Sequence, residues 1–446
     1  MEIPRAMVAG THSGCGKTTI AKGLMGALRA RGLVVQPFKV GPDFIDPTHH
    51  TAICGRDSRN LDPFMMGKER LCETFVRASE GADIAVIEGV MGLYDGIDGG
   101  DVASTAHVSQ ILSSPVILVV DVKGMSRSVH AQVSGFTRFD PSIEIAGVIY
   151  NRVGSDRHRW MIERGMDCSG AIPIGWVPNR QELELPSRHL GLHLAFEEPT
   201  GTKIAEILEG SCDIDAVIRI AGGAPPLTQR VRRIGGDGRE KMHLGVALDR
   251  AFCFYYKDNL ERLASAGASL TFFSPLSDPI PDVSGIYLGG GYPELYAREM
   301  VESRFPERLK KAADDGMPIY GECGGLLVLC ESLVTDKEHP MAGILPATAR
   351  MTRKVQALDY VQARVIAGTG PLSPKLSYHG HEFHYSAVDV CRDARLAVSL
   401  SRGKGITGDG WDGLFVHHTL GSYTHAYFND KVAASIVRAA ERYMHS

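Results

Sequence analysis

Ten consecutive residues, Gly10-Thr-His-Ser-Gly-Cys-Gly-Lys-Thr-Thr19, constrain this chain more than any other feature. They follow a short apolar run, Ala6–Ala9, and open a helical pattern over Lys17–Arg31 that Gly32 closes. A glycine-rich turn between a strand and a helix lets backbone N–H groups and the helix N-terminus wrap an anion. In such a loop Gly14, Gly16 and Thr19 line the phosphates, Lys17 reaches the β and γ oxygens, and Thr18 can hold Mg²⁺. The spacing is shifted from the common pattern: Thr11 stands where its first glycine belongs, with Gly10 one place earlier.

The alternation of strand and helix continues through the first half. Val34–Val40, Ile84–Ile87, Val116–Asp121 and Ile145–Tyr150 are short β-branched runs ending at polar residues or glycine. Short buried strands between helices predict a doubly wound parallel α/β sheet. From Gly222 to Lys241 the pattern breaks into Gly-Gly, Pro-Pro and Gly-Gly-Asp-Gly with several arginines, the composition of a linker. Alternation restarts at Leu244–Leu248 and gives way to a β-rich tail over Tyr360–Phe428. The expected division is 1–221, a linker at 222–241, and a second α/β domain at 242–446. A formal net charge of −4 without basic runs argues against a nucleic-acid partner. Nine cysteines, none in a Cys-x-x-Cys pair, argue for a reducing cytoplasm over a disulfide framework or zinc site. No apolar run approaches the ~18 residues of a membrane span, so no membrane association is expected.

Acidic residues recur at the ends of the predicted strands. Glu88 closes Ile84–Ile87, where a Mg²⁺ or substrate ligand belongs beside a phosphate loop. Asp43 and Asp46 follow Val34–Val40 in the same way. Lys39 lies inside that strand and has to be paired or to face an anion.

A second reactive centre is legible later in the chain. In Pro318-Ile-Tyr-Gly-Glu-Cys-Gly-Gly-Leu-Leu327, a short apolar strand enters, Cys323 sits at the bend and a helix leaves. This has the form of a nucleophile elbow, and a helix N-terminus favours a thiolate. A base is needed; His379, His381, His384, His417, His418 and His425 are candidates, and spacing alone does not select among them. His425, in Gly421-Ser-Tyr-Thr-His425, is the preferred one. Gly290 and Gly291, in Leu288-Gly-Gly-Gly-Tyr-Pro-Glu294, and Gly324 offer backbone donors for an oxyanion. His381-Glu-Phe-His384 is one residue short of the His-Glu-x-x-His zinc spacing, and Phe383 and Tyr385 suggest a strand there.

Taken in order, Val40–Pro47, Glu88–Asp95, Asn151-Arg-Val-Gly, Ala251-Phe-Cys-Phe-Tyr-Tyr-x-Asp-Asn-Leu260, Leu288–Glu294, Gly321–Gly325, Gly380–His384 and Ser422–His425 resemble the cobyrinic acid a,c-diamide synthase family over nearly the whole chain. The first half is similar to dethiobiotin synthetase and to the MinD/ParA class of P-loop ATPases, though it lacks that class's early lysine. The second half is similar to class I glutamine amidotransferases. The resemblance implies ATP and L-glutamine as co-substrates, Mg²⁺ as cofactor, a tetrapyrrole as substrate, and leaves room for a homodimer. It implies Cys323 as glutaminase nucleophile with His425 as its activator, and Glu88 in metal binding. Asn151 would contact adenine. Asp43, Asp46 and Asp95, with Lys39, would act on the substrate carboxylate and its phosphate. One departure stands out: many class I amidotransferases carry His-x-Glu, whereas here Ala426 and Tyr427 follow His425.

The implied reaction is amidation of the a and c acetates through acyl phosphates, on cobyrinate or on Ni-sirohydrochlorin. Two rivals remain at this point: amidation of other side chains, as in cobyric acid synthase, and a non-enzymatic ATPase switch carrying a degenerate amidotransferase fold.

Overall fold

The computed structural model describes residues 2–164, 172–183, 201–227, 242–368 and 370–445. It divides into two compact units, Met1–Arg232 and Arg233–Ser446. Most of the expected linker lies outside the described residues, as does Cys168.

The first unit carries strands β1 (Arg5–Gly10), β2 (Val35–Val40), β3 (Arg59–Leu61), β4 (Ile84–Glu88), β5 (Val116–Asp121), β6 (Ile145–Val153) and β7 (Pro173–Pro178). They form one sheet in the order β3-β2-β4-β1-β5-β6-β7, every pairing parallel. The doubly wound expectation is met. β1, β2 and β4 are buried at every position, which is why their sequences are mostly apolar rather than alternating, with Arg5, Gln36, Lys39 and Glu88 as the buried polar exceptions. The helices are α1 (Lys17–Ala30), α2 (Asp46–Cys54), α3 (Pro63–Ala78), α4 (Thr105–Leu112), α5 (Ser128–Phe139), α6 (Asp156–Glu163), α7 (Gly201–Ser211) and α8 (Ile214–Gly222). α1 turns Ile20, Leu24 and Leu28, four residues apart, into a core with Val8, Val86 and Ile117. α3 starts where Asp62 accepts the N–H groups of Phe64 and Met65 and Pro63 needs no donor. The register sets the functional edge: Val8 of β1 pairs with Glu88 of β4, and Glu88 pairs with Lys39 of β2. The phosphate loop, Glu88 and Lys39 therefore share the C-terminal edge of neighbouring strands, the usual ligand crevice of such sheets.

The second unit begins with β8 (Met242–Ala247), β9 (Phe252–Phe254), β10 (Ala268–Phe273), β11 (Ile286–Leu288), β12 (Gly290–Gly291) and β13 (Ile319–Glu322). Its later strands are β14 (Cys330–Val334), β15 (Glu338–Pro340), β16 (Leu345–Met351), β17 (Ala357–Val365), β18 (Ser377–His384), β19 (Ser386–Val390), β20 (Leu396–Arg402), β21 (Trp411–Val416), β22 (Thr419–Ser422) and β23 (His425–Tyr427). The main sheet runs β10-β8-β11-β13-β22-β21-β20-β17-β18-β23. It is parallel through β22 and antiparallel beyond. Only Tyr423 and Thr424 separate β22 from β23, yet the two strands pair with β13 and β18, far apart in that order. The sheet has to curl for so short a link to close it. Two apolar cores result, one around Phe252, Leu288 and Leu326, the other around Leu263, Tyr287 and Phe428. Among the described residues no helix is long and apolar enough to cross a membrane.

Candidate active site

In the first unit, the glycines of the loop are there for space and for backbone shape. Gly14 and Gly16 adopt φ of 84° and 98°, a region that side chains disfavour. A Cβ on Gly10 would lie 2.3 Å from Cys15 Sγ, and one on Gly16 would lie 2.2 Å from Asn151 Nδ2. The loop is tied down by its neighbours: Asn151 Nδ2 donates to the Cys15 carbonyl at 2.8 Å, and Lys17 Nζ donates to the His12 carbonyl at 3.2 Å.

Beside the loop lies a buried ionic cluster. Lys39 Nζ is 2.7 Å from both Asp46 Oδ2 and Glu88 Oε1 and 3.9 Å from Asp43 Oδ2. Glu88 is gripped at both oxygens, Oε1 by the Thr18 hydroxyl at 2.6 Å and Oε2 by His50 Nε2 at 2.7 Å. Burial alone would strip Lys39 of its proton, but Asp46, Glu88 and Asp43 outweigh it and hold the ammonium. Burial and Asp46 push the Glu88 carboxyl up; Lys39 and His50 prevail and keep it ionised. Burial lowers Lys17, the loop cation, below the usual lysine range.

A cavity of 630 Å³ opens over this cluster. Of the residues anticipated from the sequence, Gly14, Gly16, Lys17, Thr18, Thr19, Lys39, Asp43, Asp46, Glu88 and Asn151 line it. Asp95 stands outside that lining; it is exposed, and its carboxylate accepts the Gly92 N–H at 2.8 Å. Thr18 Oγ1 and Glu88 Oε1 are hard oxygen donors side by side, a set that fits Mg²⁺, which draws its remaining ligands from phosphate and water. Sequence reasoning missed His50 and the cavity-lining Arg152 and Arg180. For His50 a signal existed: it lies four residues after Asp46, on the same face of α2.

In the second unit, Cys323 follows β13 with φ 46° and ψ −98°, a strained conformation for a residue with a side chain. The glycines around it pack too closely against their neighbours to carry side chains. A Cβ on Gly325 would meet the Leu288 carbonyl at 2.5 Å, and one on Gly321 would meet Leu329 Cδ1 at 2.6 Å. The helix α9 (Lys257–Ser265) and the short α10 (Ala297–Glu302) and α11 (Phe305–Asp314) precede this elbow; α12 (Gly324–Leu329) leaves it, and α13 (Asp430–Met444) ends the unit. A Cβ on Gly324 would lie 3.1 Å from the Gly291 nitrogen, and one on Gly290 would lie 2.2 Å from His425 Cε1. The elbow, through Gly324, and the His425 ring thus each approach the same glycine turn, Gly290–Gly291.

The electrostatics differ from the thiolate expectation. Burial pushes the Cys323 thiol up to about 12, aided by Glu294 and opposed by the Gly324 N–H. α12 is only six residues long, too short to offset that desolvation. Burial, with His381 and His384, holds His425 well below the usual histidine range. The resting pair is therefore neutral thiol and neutral imidazole. The His425 ring stacks on His381, centroids 4.9 Å apart and planes 15° apart, and His381 Nδ1 is 2.8 Å from the Tyr256 hydroxyl.

The motif Ala251–Leu260, noticed only for its resemblance, turns out to be scaffolding for this centre. Tyr255 accepts the Gly289 N–H at 2.8 Å; Asn259 bonds the Ala426 carbonyl at 2.7 Å and the Phe428 N–H at 2.8 Å; Asp258 accepts from Tyr427 at 2.6 Å. Glu322 and Asp412, both buried and both unanticipated, bond the chain on either side of His425.

Residues 6–192 match the CobQ/CobB/MinD/ParA nucleotide binding domain, and residues 243–433 the CobB/CobQ-like glutamine amidotransferase domain. The cobyrinate a,c-diamide synthase of Archaeoglobus fulgidus is 42% identical, covering 99% of this chain and 98% of that protein. That of Methanosarcina acetivorans is 40% identical, with 99% and 96% covered. That of Magnetococcus marinus is 40% identical, with 95% and 94% covered. With relatives this similar along its full length, and a phosphate loop and a thiol elbow in its two halves, the chain belongs to the cobyrinate a,c-diamide synthase family of glutamine-dependent amidotransferases.

Proposed function

We propose that this protein amidates the a and c acetate side chains of cobyrinate, using ATP to activate each carboxylate and glutamine to supply ammonia. The observation that supports the reading is the coexistence, in one chain, of a cavity lined by Lys17, Thr18 and Glu88 and of an elbow and a histidine, Cys323-Gly324 and His425, at one glycine turn. A switch protein would have no use for the second. We assign activation to residues 1–221 and ammonia release to 242–446, joined by the segment 222–241. The free cysteines suit a reducing compartment, and the cytoplasm is the proposed location.

A carboxylate carbon is a poor electrophile, so ammonia does not attack it at neutral pH. An oxygen of the substrate acetate attacks the γ-phosphorus of ATP, ADP leaves, and a mixed acyl-phosphate anhydride forms. Lys17 and the loop N–H groups bind the phosphates and stabilise charge on the transferring group. Lys39, Asp43 and Asp46 orient the acetate, and Asn151 supports the loop near the base. Thr18 and Glu88 would hold Mg²⁺, which neutralises phosphate charge when bound. We assign no role of this kind to Asp95, because it lies outside the cavity lining.

At the other centre, the Cys323 proton passes to His425 as sulfur attacks the glutamine amide carbon. Backbone N–H groups of Gly290, Gly291 and Gly324 receive the oxyanion. His425 returns the proton to the leaving nitrogen, ammonia departs, and water clears the glutamyl thioester. Ammonia then attacks the acyl phosphate and expels phosphate.

The test pairs wild-type protein with Cys323→Ala, each given ATP, Mg²⁺ and cobyrinate with either glutamine or ammonium. Two amides at a and c by mass spectrometry are expected from wild type with either nitrogen source, and from the variant with ammonium alone. Ni-sirohydrochlorin in parallel reports which macrocycle is preferred. Amides at other side chains would favour the cobyric acid type of reaction. ATP hydrolysis without any amide would overturn the proposal.

A further inference from the structure

No carboxylate stands two positions after His425 to hold its ring, yet two buried carboxyl groups grip the chain around it. Asp412 accepts from Ser422 Oγ at 2.5 Å, Tyr423 N at 3.0 Å, Thr424 N at 3.1 Å and Thr424 Oγ1 at 2.7 Å. All of these tie the approach to His425 back onto β21. Glu322 does something different. It is the last residue of β13, directly before Cys323, and its Oε1 accepts the N–H of Ala426, directly after His425, at 3.1 Å. Its other partners fix it in place: Tyr320 donates to Oε1 at 3.0 Å and Tyr287 to Oε2 at 2.8 Å, and the residue is 2% exposed. One carboxyl group thus links the residue before the nucleophile to the residue after the imidazole, across 104 positions of sequence.

The partners of β23 show why this link matters. One edge of the strand is paired with β18, where Gly380 faces Ala426 and His381 faces His425. Asn259 holds the Ala426 carbonyl. Neither contact reaches the strand that carries Cys323. The Glu322 bond does, and it braces the chain just after His425, as the Cys323 N–H to Ser422 carbonyl bond at 2.7 Å and the β13–β22 pairing brace the chain just before it.

We propose that Glu322 is a positioning residue of the amidotransferase centre, holding His425 against Cys323 through the Ala426 backbone in place of a carboxylate on the ring. The proposal rests on the assignment of Cys323 and His425 as nucleophile and base. A carboxylate on the ring would also stabilise the imidazolium; Glu322 supplies geometry only. Its loss should therefore lower turnover and leave glutamine binding alone. An amide at the same place keeps the acceptor for Ala426, and its NH₂ can donate to the Tyr287 oxygen, so geometry survives.

The experiment compares wild type, Cys323→Ala, Glu322→Ala and Glu322→Gln for glutaminase kcat and KM, with ammonium-supported amide formation as the integrity control. Glu322→Ala is expected to lose about 10- to 100-fold in kcat with KM for glutamine within about twofold. Glu322→Gln is expected to recover kcat to within about threefold of wild type. If Cys323→Ala keeps glutaminase activity, the underlying assignment fails. If Cys323→Ala is inactive while Glu322→Ala keeps wild-type kcat, the positioning role is overturned and the assignment stands. Should Glu322→Ala fail to fold, Glu322→Gln decides: near-wild-type kcat supports the role, and a loss as deep as that of Cys323→Ala overturns it, because the acceptor geometry is then not what matters.

Discussion

Lys39 and Glu88 face one another across neighbouring parallel strands, Nζ to Oε1 at 2.7 Å, with Asp46 closing the same ammonium from a helix start. Lys39 is 4% exposed and Glu88 fully buried. Such a cluster is stable only while its charges balance.

Replacing Lys39 tests that balance. Lys39→Met keeps the aliphatic length but leaves Asp46 and Glu88 buried without their shared cation. We expect the first unit to lose about 3–5 kcal/mol in denaturant unfolding. Ammonium-supported amide formation should disappear as well, while glutaminase activity, seated in the other unit, persists. An unfolding midpoint equal to wild type would show that the cluster is solvated and carries no structural charge balance.

Gly290→Ala probes the other centre. The added methyl would sit 2.2 Å from His425 Cε1, and the ring, already stacked on His381, has to shift or push the glycine strand away. A displacement on the order of 1 Å costs ~100-fold in rate. Glutaminase kcat should fall by about that factor, with ammonium-supported synthesis retained. Unimpaired glutaminase activity would remove Gly290 and His425 from a common site.

What could be read in the chain beforehand followed physical locality. The phosphate loop and the Cys323 elbow are contiguous, so glycine spacing between an apolar strand and a helix was enough to place both. The parallel sheet of the first unit was legible because its strands are buried on both faces and run apolar. The antiparallel half of the second sheet was harder, since its strands alternate and a curled sheet leaves no local mark. Glu322 and Asp412 were invisible for another reason: each reaches the chain beside His425 through a backbone N–H, and a backbone N–H has no side-chain signature. The expected thiolate failed because desolvation of a buried sulfur outweighs a six-residue helix.

That failure is itself measurable. With the thiol pushed up to about 12 by burial, the thiolate at pH 8 is ~10⁻⁴ of the total. Alkylation of Cys323 by iodoacetamide, followed by peptide mapping, should be slow in the absence of glutamine. Its rate should keep rising about tenfold per pH unit through pH 10. A plateau near pH 7 would mean that a preformed ion pair with His425 exists at rest.

Glu322 also leaves a signature in stability. Burial pushes its carboxyl up from 4.5 to about 8 in the folded protein, with the bonds from Tyr287, Tyr320 and Ala426 opposing. The folded state therefore holds a proton that the unfolded chain releases above about pH 4.5. Stability from this group is full below 4.5, falls as pH rises through the interval up to about 8, and is flat beyond. The neutral histidines run the other way: burial lowers His381 to about 3 and His384 to about 4, so acid below about 6.5 favours unfolding. Glu322→Gln removes only the first effect. The stability difference between Glu322→Gln and wild type, from urea unfolding followed by fluorescence, should grow in favour of the variant from pH 5 to pH 8, by at most about 1.4 kcal/mol per unit. Below pH 5 the two curves should run parallel, both bent down by the histidines. Parallel curves across the whole range would place the Glu322 carboxylate, ionised, in contact with solvent or an unrecognised cation.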